Sequence, residues 1–165
     1  QSAVIEQSGR QVFRFGFGQS PFPISGVLKA ALIEHAHRKE YTQVQGLQAL
    51  RQKVAEYHSA FEKRSIIADQ IFIAPGSKSL LYTIMCAYTK AAVLIPAPAW
   101  VSYAPQAELI GHTTFMMQTS FAQRYRITPD ILENALSEAT KNYQSVLVVL
   151  NSPGNPDGLC YTQSE

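Results

Sequence analysis

Asn155 stands in the run Asn151-Ser-Pro-Gly-Asn-Pro-Asp-Gly158, directly after the apolar, β-branched stretch Ser145-Val-Leu-Val-Val-Leu150. That stretch reads as a buried parallel strand, and two prolines with two glycines stop its ladder at once. In open α/β sheets ligands bind at the carboxyl ends of the strands, so the loop delivers the Asn155 amide to a site-like position. An amide donates to one oxygen and accepts from another group without carrying charge. The same residues suit an ordinary strand-to-loop turn, and the loop alone leaves both readings open. Gly76-Ser77-Lys78-Ser79 offers a second chemistry, because it links a strand to a helix start. Free backbone N–H groups and the helix dipole favour a dianion there. Gly76 lets the backbone approach closely, and the Ser77 hydroxyl adds a donor. The Gly-Lys-Ser/Thr ending and the earlier glycine of a Walker loop are absent, and an ordinary helix start is the alternative. Trp100, the one tryptophan, follows Pro98 just after a short strand. Its flat ring can stack on an electron-poor ring or serve as a core aromatic.

The elements that must position these groups alternate from Ser65 onward. Strands are predicted over 71–74, 93–95, 113–118 and 145–150, with helices over 77–88, 101–110 and from a Thr128 cap to 140. Such alternation predicts an α/β fold, a doubly wound, mostly parallel sheet with flanking helices. Before it, Val12 to Phe17 reads as a short strand or extended arm. Ser25 is expected to cap a helix over 26–39 that carries Val27, Leu28, Ala31, Leu32 and Ala36 at helical spacing. After a break at 41–46, a second helix over 47–63 places Leu47, Leu50, Val54, Tyr57 and Phe61 on one face. At the other end, Thr162-Gln-Ser-Glu165 looks like a helix start.

Asn155-Pro-Asp-Gly158 resembles the Asn-Pro-Thr/Asp-Gly signature of class I/II aminotransferases, the pyridoxal-phosphate enzymes of fold type I. Four further blocks resemble that family in its order: Gly18-Gln-Ser-Pro-Phe22, Tyr41 to Gly46 with Leu50-Arg51, Ile73 to Lys78, and Ile95 to Tyr103. The resemblance implies residues 1–45 as an N-terminal arm and part of a small domain. It implies residues 46–165 as the first, incomplete part of the cofactor-binding large domain. Gly76, Ser77 and Lys78 correspond to the phosphate loop, and Trp100 to the aromatic stacked on the cofactor ring. Asn155 corresponds to the asparagine near the ring hydroxyl and the substrate carboxylate. Gly18 corresponds to backbone near that carboxylate. Tyr41 corresponds to a tyrosine that reaches the neighbouring subunit's site in a homodimer. Pyridoxal 5′-phosphate is thus the implied cofactor, with an amino acid and a 2-oxo acid as substrates. In the family the acid facing the ring nitrogen, the Schiff-base lysine and the main substrate arginine follow the Asn-Pro loop, so no catalytic residue is assigned here. The family's first sheet strand, here 71–74, also joins the others only through later strands. The chain alone is therefore expected to be an inactive amino-terminal portion, with exposed β edges. The resemblance also implies cis bonds at Ala97–Pro98 and Asn155–Pro156.

Composition narrows the alternatives. Charged residues make up 16% of the chain, against about 25% in a typical soluble domain, which suggests surface that another part of the protein or a partner covers. The net charge of +2 is scattered, so no nucleic-acid partner is expected. Cys86 and Cys160 lie far apart without metal-ligand spacing, and free thiols fit a cytoplasmic setting. No leader opens the sequence, and the apolar segment 91–101 is too short to span a bilayer, so no membrane is expected. His35, His37, His58 and His112 share no ligand pattern, and no metal is expected. Arg51, Arg124 and Arg126 read as solvated or salt-bridged rather than as substrate clamps. Another fold type I enzyme such as a carbon–sulfur lyase, a ligand-sensing regulator domain, and a non-catalytic ligand-binding fragment are the alternatives.

Overall fold

A computed structural model of the chain describes residues 2–13, 18 and 20–165. It divides into two compact units, residues 1–42 and 43–165. The first unit holds a short helix α1 (Ser2–Gln7) and α2 (Gly26–His35). Ser25 stands at the start of α2, but its side chain makes no capping bond, and no residue of α2 is buried. Residues 14–17 of the expected arm lie outside the described residues, and Val12 and Phe13 belong to no regular element.

The second unit opens with α3 (Gln48–Glu62). Its buried stripe differs from the predicted one. Arg51 and Ala55 are buried with Val54, His58 and Ser59 half-covered, whereas Leu50, Tyr57 and Phe61 are exposed. The helical period is as expected, but the face is rotated by polar docking onto 66–70. Arg51 donates to the Ala68 carbonyl at 3.0 Å and pairs with Asp69 at 3.5 Å, while Ser59 accepts from the Ile66 N–H at 2.9 Å. Tyr57 and Phe61 instead stack on each other, centroids 6.1 Å apart.

Residues 71–74 are the main correction to the predicted elements. They form no strand, and the Ile73 N–H donates to the Gln45 carbonyl rather than to a ladder. Extended backbone becomes a strand only when a neighbour supplies the matching groups. The described sheet has three strands in the order β2-β1-β3, none of which reaches this segment.

Beyond it run α4 (Ser77–Cys86), β1 (Ala92–Ala97), α5 (Tyr103–Leu109), β2 (Thr113–Gln118), α6 (Pro129–Ala139) and β3 (Val146–Val148). All pairings are parallel, with Leu94 opposite Phe115 on one side and Val148 on the other. The central strand β1 has a core on each face, because successive side chains point to opposite sides. Val93 and Ile95 join Met85, Tyr103 and Ala107 on the face covered by α4 and α5, while Ala92 and Leu94 join Met117 and Ala139 on the α6 face. Helices on both faces make the sheet doubly wound. Burying Val93, Leu94 and Ile95 fully stabilises the fold by about 1.5–3 kcal/mol each. Thr128 caps α6 as its sequence predicts, accepting from the Ile131 N–H with Pro129 at the first helical position. His112 ties the two ends of the α4–β1 connection together. Its Nδ1 accepts from the Ala91 N–H at 3.2 Å, so Nε2 carries the proton and donates to the Met85 carbonyl at 2.9 Å.

Candidate functional site

The carboxyl ends of β1 and β3 lie side by side because the two strands pair in parallel. Beyond β1 the chain turns at the cis bond Ala97–Pro98 and presents Trp100 before α5 begins. Trp100 is half-buried, packs on the core cluster around Met85 and Tyr103, and meets the Tyr103 ring edge-on at 5.4 Å. Burial raises the Tyr103 hydroxyl above the ordinary tyrosine range.

Gly76 opens α4 with φ of +92°, a conformation that side-chain-bearing residues rarely adopt. An ideal Cβ there would project into space empty for 4 Å. No side chain caps α4 and no acid sits in its first turn, so the amino-terminal N–H groups that helix geometry leaves unpaired stay available. The Lys78 carbonyl accepts from Gln106 Nε2 at 3.1 Å, which ties this turn to α5, and its ammonium stands 4.9 Å from the centre of the Trp100 ring.

Beyond β3 the loop to Tyr161 is held by bonds within itself. Gly154 N–H donates to the Leu159 carbonyl at 2.9 Å, Gly158 N–H to the Gly154 carbonyl at 2.8 Å, and Asp157 accepts from the Leu159 N–H at 2.7 Å. Ser152–Pro153 and Asn155–Pro156 are cis, the second as expected and the first in addition. Asn155 is exposed at the rim of a crevice shared with Tyr103, Pro98, Arg126, Asp157 and Tyr161. Tyr103 thus joins the two groups, touching Trp100 on one side and lining the Asn155 crevice on the other.

The floor of that crevice holds residues for which sequence reading found no role. Arg126 is 5% exposed, donates to the Cys160 carbonyl at 2.5 Å and lies 4.6 Å over the Tyr161 ring. The Tyr161 hydroxyl accepts from the Ile127 N–H at 3.0 Å, so the loop's return segment is clamped to the start of α6. No local pattern marks these residues, since each partner is 34 positions away. All three arginines discussed above make ion pairs, with Arg124 at 3.5 Å and Arg126 at 3.9 Å from Glu165, but Arg51 and Arg126 are buried rather than solvated. Thr162 and Glu165 exchange the two bonds of a capping box, N–H to Glu165 Oε2 at 2.7 Å and Glu165 N–H to Thr162 Oγ1 at 3.4 Å. The Thr162 N–H foremost, and then the Thr162 side chain, hold the Glu165 carboxyl below the usual carboxylate range. Gly18 and Tyr41 belong to the first unit, where both are exposed and Tyr41 fully so.

A phosphorylated pyridine asks for N–H donors at its phosphate, a flat partner for its ring and a neutral hydrogen-bonding group at its hydroxyl. The donor set around Gly76, Ser77, Lys78, Trp100 and Asn155 fits those three demands in chemical type.

The profile described as aminotransferase class I and II matches residues 10–165. The chain is 31% identical to the asparagine–oxo-acid transaminase of Streptococcus mutans, over 100% of this chain and 42% of that protein. It is 31% identical to the aspartate aminotransferase of Bacillus subtilis, over 98% of this chain and 41% of that protein. The crystal structure of the aspartate aminotransferase from Rhizobium meliloti superposes with a TM-score of 0.86 at 26% identity, covering 99% of this chain and 40% of that one. The chain thus spans about two fifths of the length of these relatives.

Proposed function

The chain belongs to the class I and II aminotransferase family, whose enzymes depend on pyridoxal phosphate, and from that membership we propose that it forms the amino-terminal part of an enzyme moving an amino group from an amino acid to a 2-oxo acid. One observation carries this reading. The Lys78 ammonium at the α4 start stands 4.9 Å from the Trp100 ring just after β1, and Tyr103 touches that ring and lines the crevice that Asn155 borders after the adjacent β3. In this reading Gly76, Ser77 and Lys78 hold the phosphate, Trp100 stacks on the ring and Asn155 meets the ring hydroxyl and the substrate carboxylate. Gly18 borders the substrate, and Tyr41 serves the neighbouring site of a homodimer. Residues 1–45 then count with the small domain and 46–165 with the large one.

The bound cofactor supplies an electron sink for the substrate's α-carbon bonds. The chain's own part is to bind and orient. Donors at the α4 start neutralise a dianion without a proton transfer, Trp100 fixes the plane, and Asn155 holds two partners without adding charge. The names of the relatives make aspartate and asparagine the first donors to try. The two exposed free thiols, Cys86 and Cys160, agree with a reducing, cytoplasmic setting. Among the described residues no helix is long and apolar enough to cross a membrane.

The test is a spectral titration of the whole protein with pyridoxal phosphate, followed by chromatography of amino acid and oxo acid after incubation with aspartate and 2-oxoglutarate. Saturable binding with glutamate as product is expected, and Ser77→Ala is expected to weaken cofactor binding about tenfold through one lost bond to a charged group. Ammonia in place of glutamate refutes transamination, as does sulfide released when cysteine replaces aspartate.

A further inference from the structure

The Lys78 ammonium stands 4.9 Å from the Trp100 ring centre. Trp100 packs on the core cluster of Met85, Val93, Ile95, Tyr103 and Ala107, so only its outward side is open to a stacking partner. A cation drawn to an indole face holds that face against any second electron-poor group. The backbone of Lys78 is not free to follow, because Gln106 of α5 holds its carbonyl at 3.1 Å. Only the butyl arm can move. It is exposed, and no salt bridge holds its ammonium among the described residues.

We propose that Lys78 is a two-position binding residue. Its ammonium covers the open face of Trp100 in the cofactor-free protein and leaves that face for the phosphate when a phosphorylated pyridine binds. The step is a non-covalent exchange of one charge between two partners. It rests on the proposed function, since it needs the pyridine to stack on Trp100. It adds a property that the phosphate role alone does not contain. Lys78 opposes the ring half of the ligand and favours the phosphate half.

Three probes separate the halves in the intact protein stripped of cofactor: pyridoxine, inorganic phosphate and pyridoxine 5′-phosphate, none of which forms an imine. Calorimetric dissociation constants are compared for the natural protein, Lys78→Met and Lys78→Arg. Lys78→Met is expected to bind phosphate about tenfold or more weakly, since a charged donor is lost. The same variant is expected to bind pyridoxine about twofold to fivefold more tightly, since no cation has to leave the indole. Lys78→Arg is expected to restore both values, because guanidinium also sits on indole and pairs with phosphate. In a Trp100→Leu background the gain for pyridoxine is expected to vanish.

Lys78 is exposed, so Lys78→Met and Lys78→Arg remove no core packing. Weaker or unchanged pyridoxine binding in Lys78→Met overturns the exchange. If pyridoxine phosphate still binds and perturbs Trp100 fluorescence in the natural protein, the cofactor reading survives that loss. If the natural protein binds none of the three probes, the cofactor reading falls and takes the exchange with it.

Discussion

Replacing Gly154 by alanine tests whether the Asn155 loop is held as described. An ideal Cβ at Gly154 would lie 2.4 Å from both carboxylate oxygens of Asp157 and 2.7 Å from its Cγ. Real Cβ atoms do not sit so close, so the carboxylate must swing away. That carboxylate accepts from the half-buried Leu159 N–H at 2.7 Å, and the swing breaks the bond. A bond between an amide and a charged group contributes about 1.5–3 kcal/mol. Against it, alanine restricts the unfolded chain and returns about 0.4–1 kcal/mol, because Gly154 is not among the positive-φ residues. The net expectation for Gly154→Ala is a loss of about 1–2 kcal/mol. In an Asp157→Ala background neither clash nor bond exists, and the same change is expected to stabilise by about 0.4–1 kcal/mol. With a urea slope of about 2 kcal/mol/M, the midpoint falls by about 0.5–1 M in one background and rises by about 0.2–0.5 M in the other. Equal midpoint shifts in the two backgrounds refute the reasoning, since they leave no coupling between residues 154 and 157.

His112→Leu strands the buried Ala91 N–H and is expected to cost about 2–4 kcal/mol in urea unfolding. His112→Asn keeps an acceptor near the Nδ1 position and is expected to cost clearly less; equal losses count against the assigned tautomer. The Glu165 carboxyl titrates below its ordinary 4.5, so the folded state binds that proton more weakly than the unfolded one. Its contribution is present above about pH 4.5 and is lost as the pH falls through the lower folded value. Carboxyl NMR is expected to show Thr162→Val moving the Glu165 midpoint upward, and an unmoved midpoint contradicts the hydroxyl's part in holding it. Tyr103 titrates above its ordinary 10.0 because burial disfavours the phenolate. The stability tied to it is present below about pH 10 and is lost as the pH rises through the folded value. Ultraviolet titration is expected to show a step above pH 10 disappear in Tyr103→Phe; loss of a step below pH 10 instead speaks against burial.

Local rules decided the features that depend on residues near one another in the chain. The Thr128 cap with Pro129 needs only neighbours within a few positions and stands where its residues put it. The apolar runs were legible as strand candidates as well: 113–118 is a strand as predicted, β1 extends the predicted 93–95 to Ala92–Ala97, and β3 ends at Val148, short of the predicted 150. The reciprocal bonds of Thr162 and Glu165 are of the same kind. Gly76 was legible at a helix start as the residue that lets the backbone approach closely, and it stands there with φ of +92°.

Tertiary structure decided what depends on distant partners. The amphipathic period of α3 was visible, but its buried side was set by Asp69 and the 66–70 segment, which turned Arg51 inward and left Tyr57 and Phe61 outside. Residues 71–74 have the composition of a strand and lack the paired backbone that would make them one. Arg126 looked like a surface charge until Cys160 and Tyr161, 34 and 35 positions on, covered it. Lys78 and Trp100 were each legible as binding residues, yet that one covers the other follows only from α4 and α5 packing on the same face of β1. A side chain's period and its cap are properties of short-range geometry, whereas its burial and its partner are properties of whatever the fold brings against it.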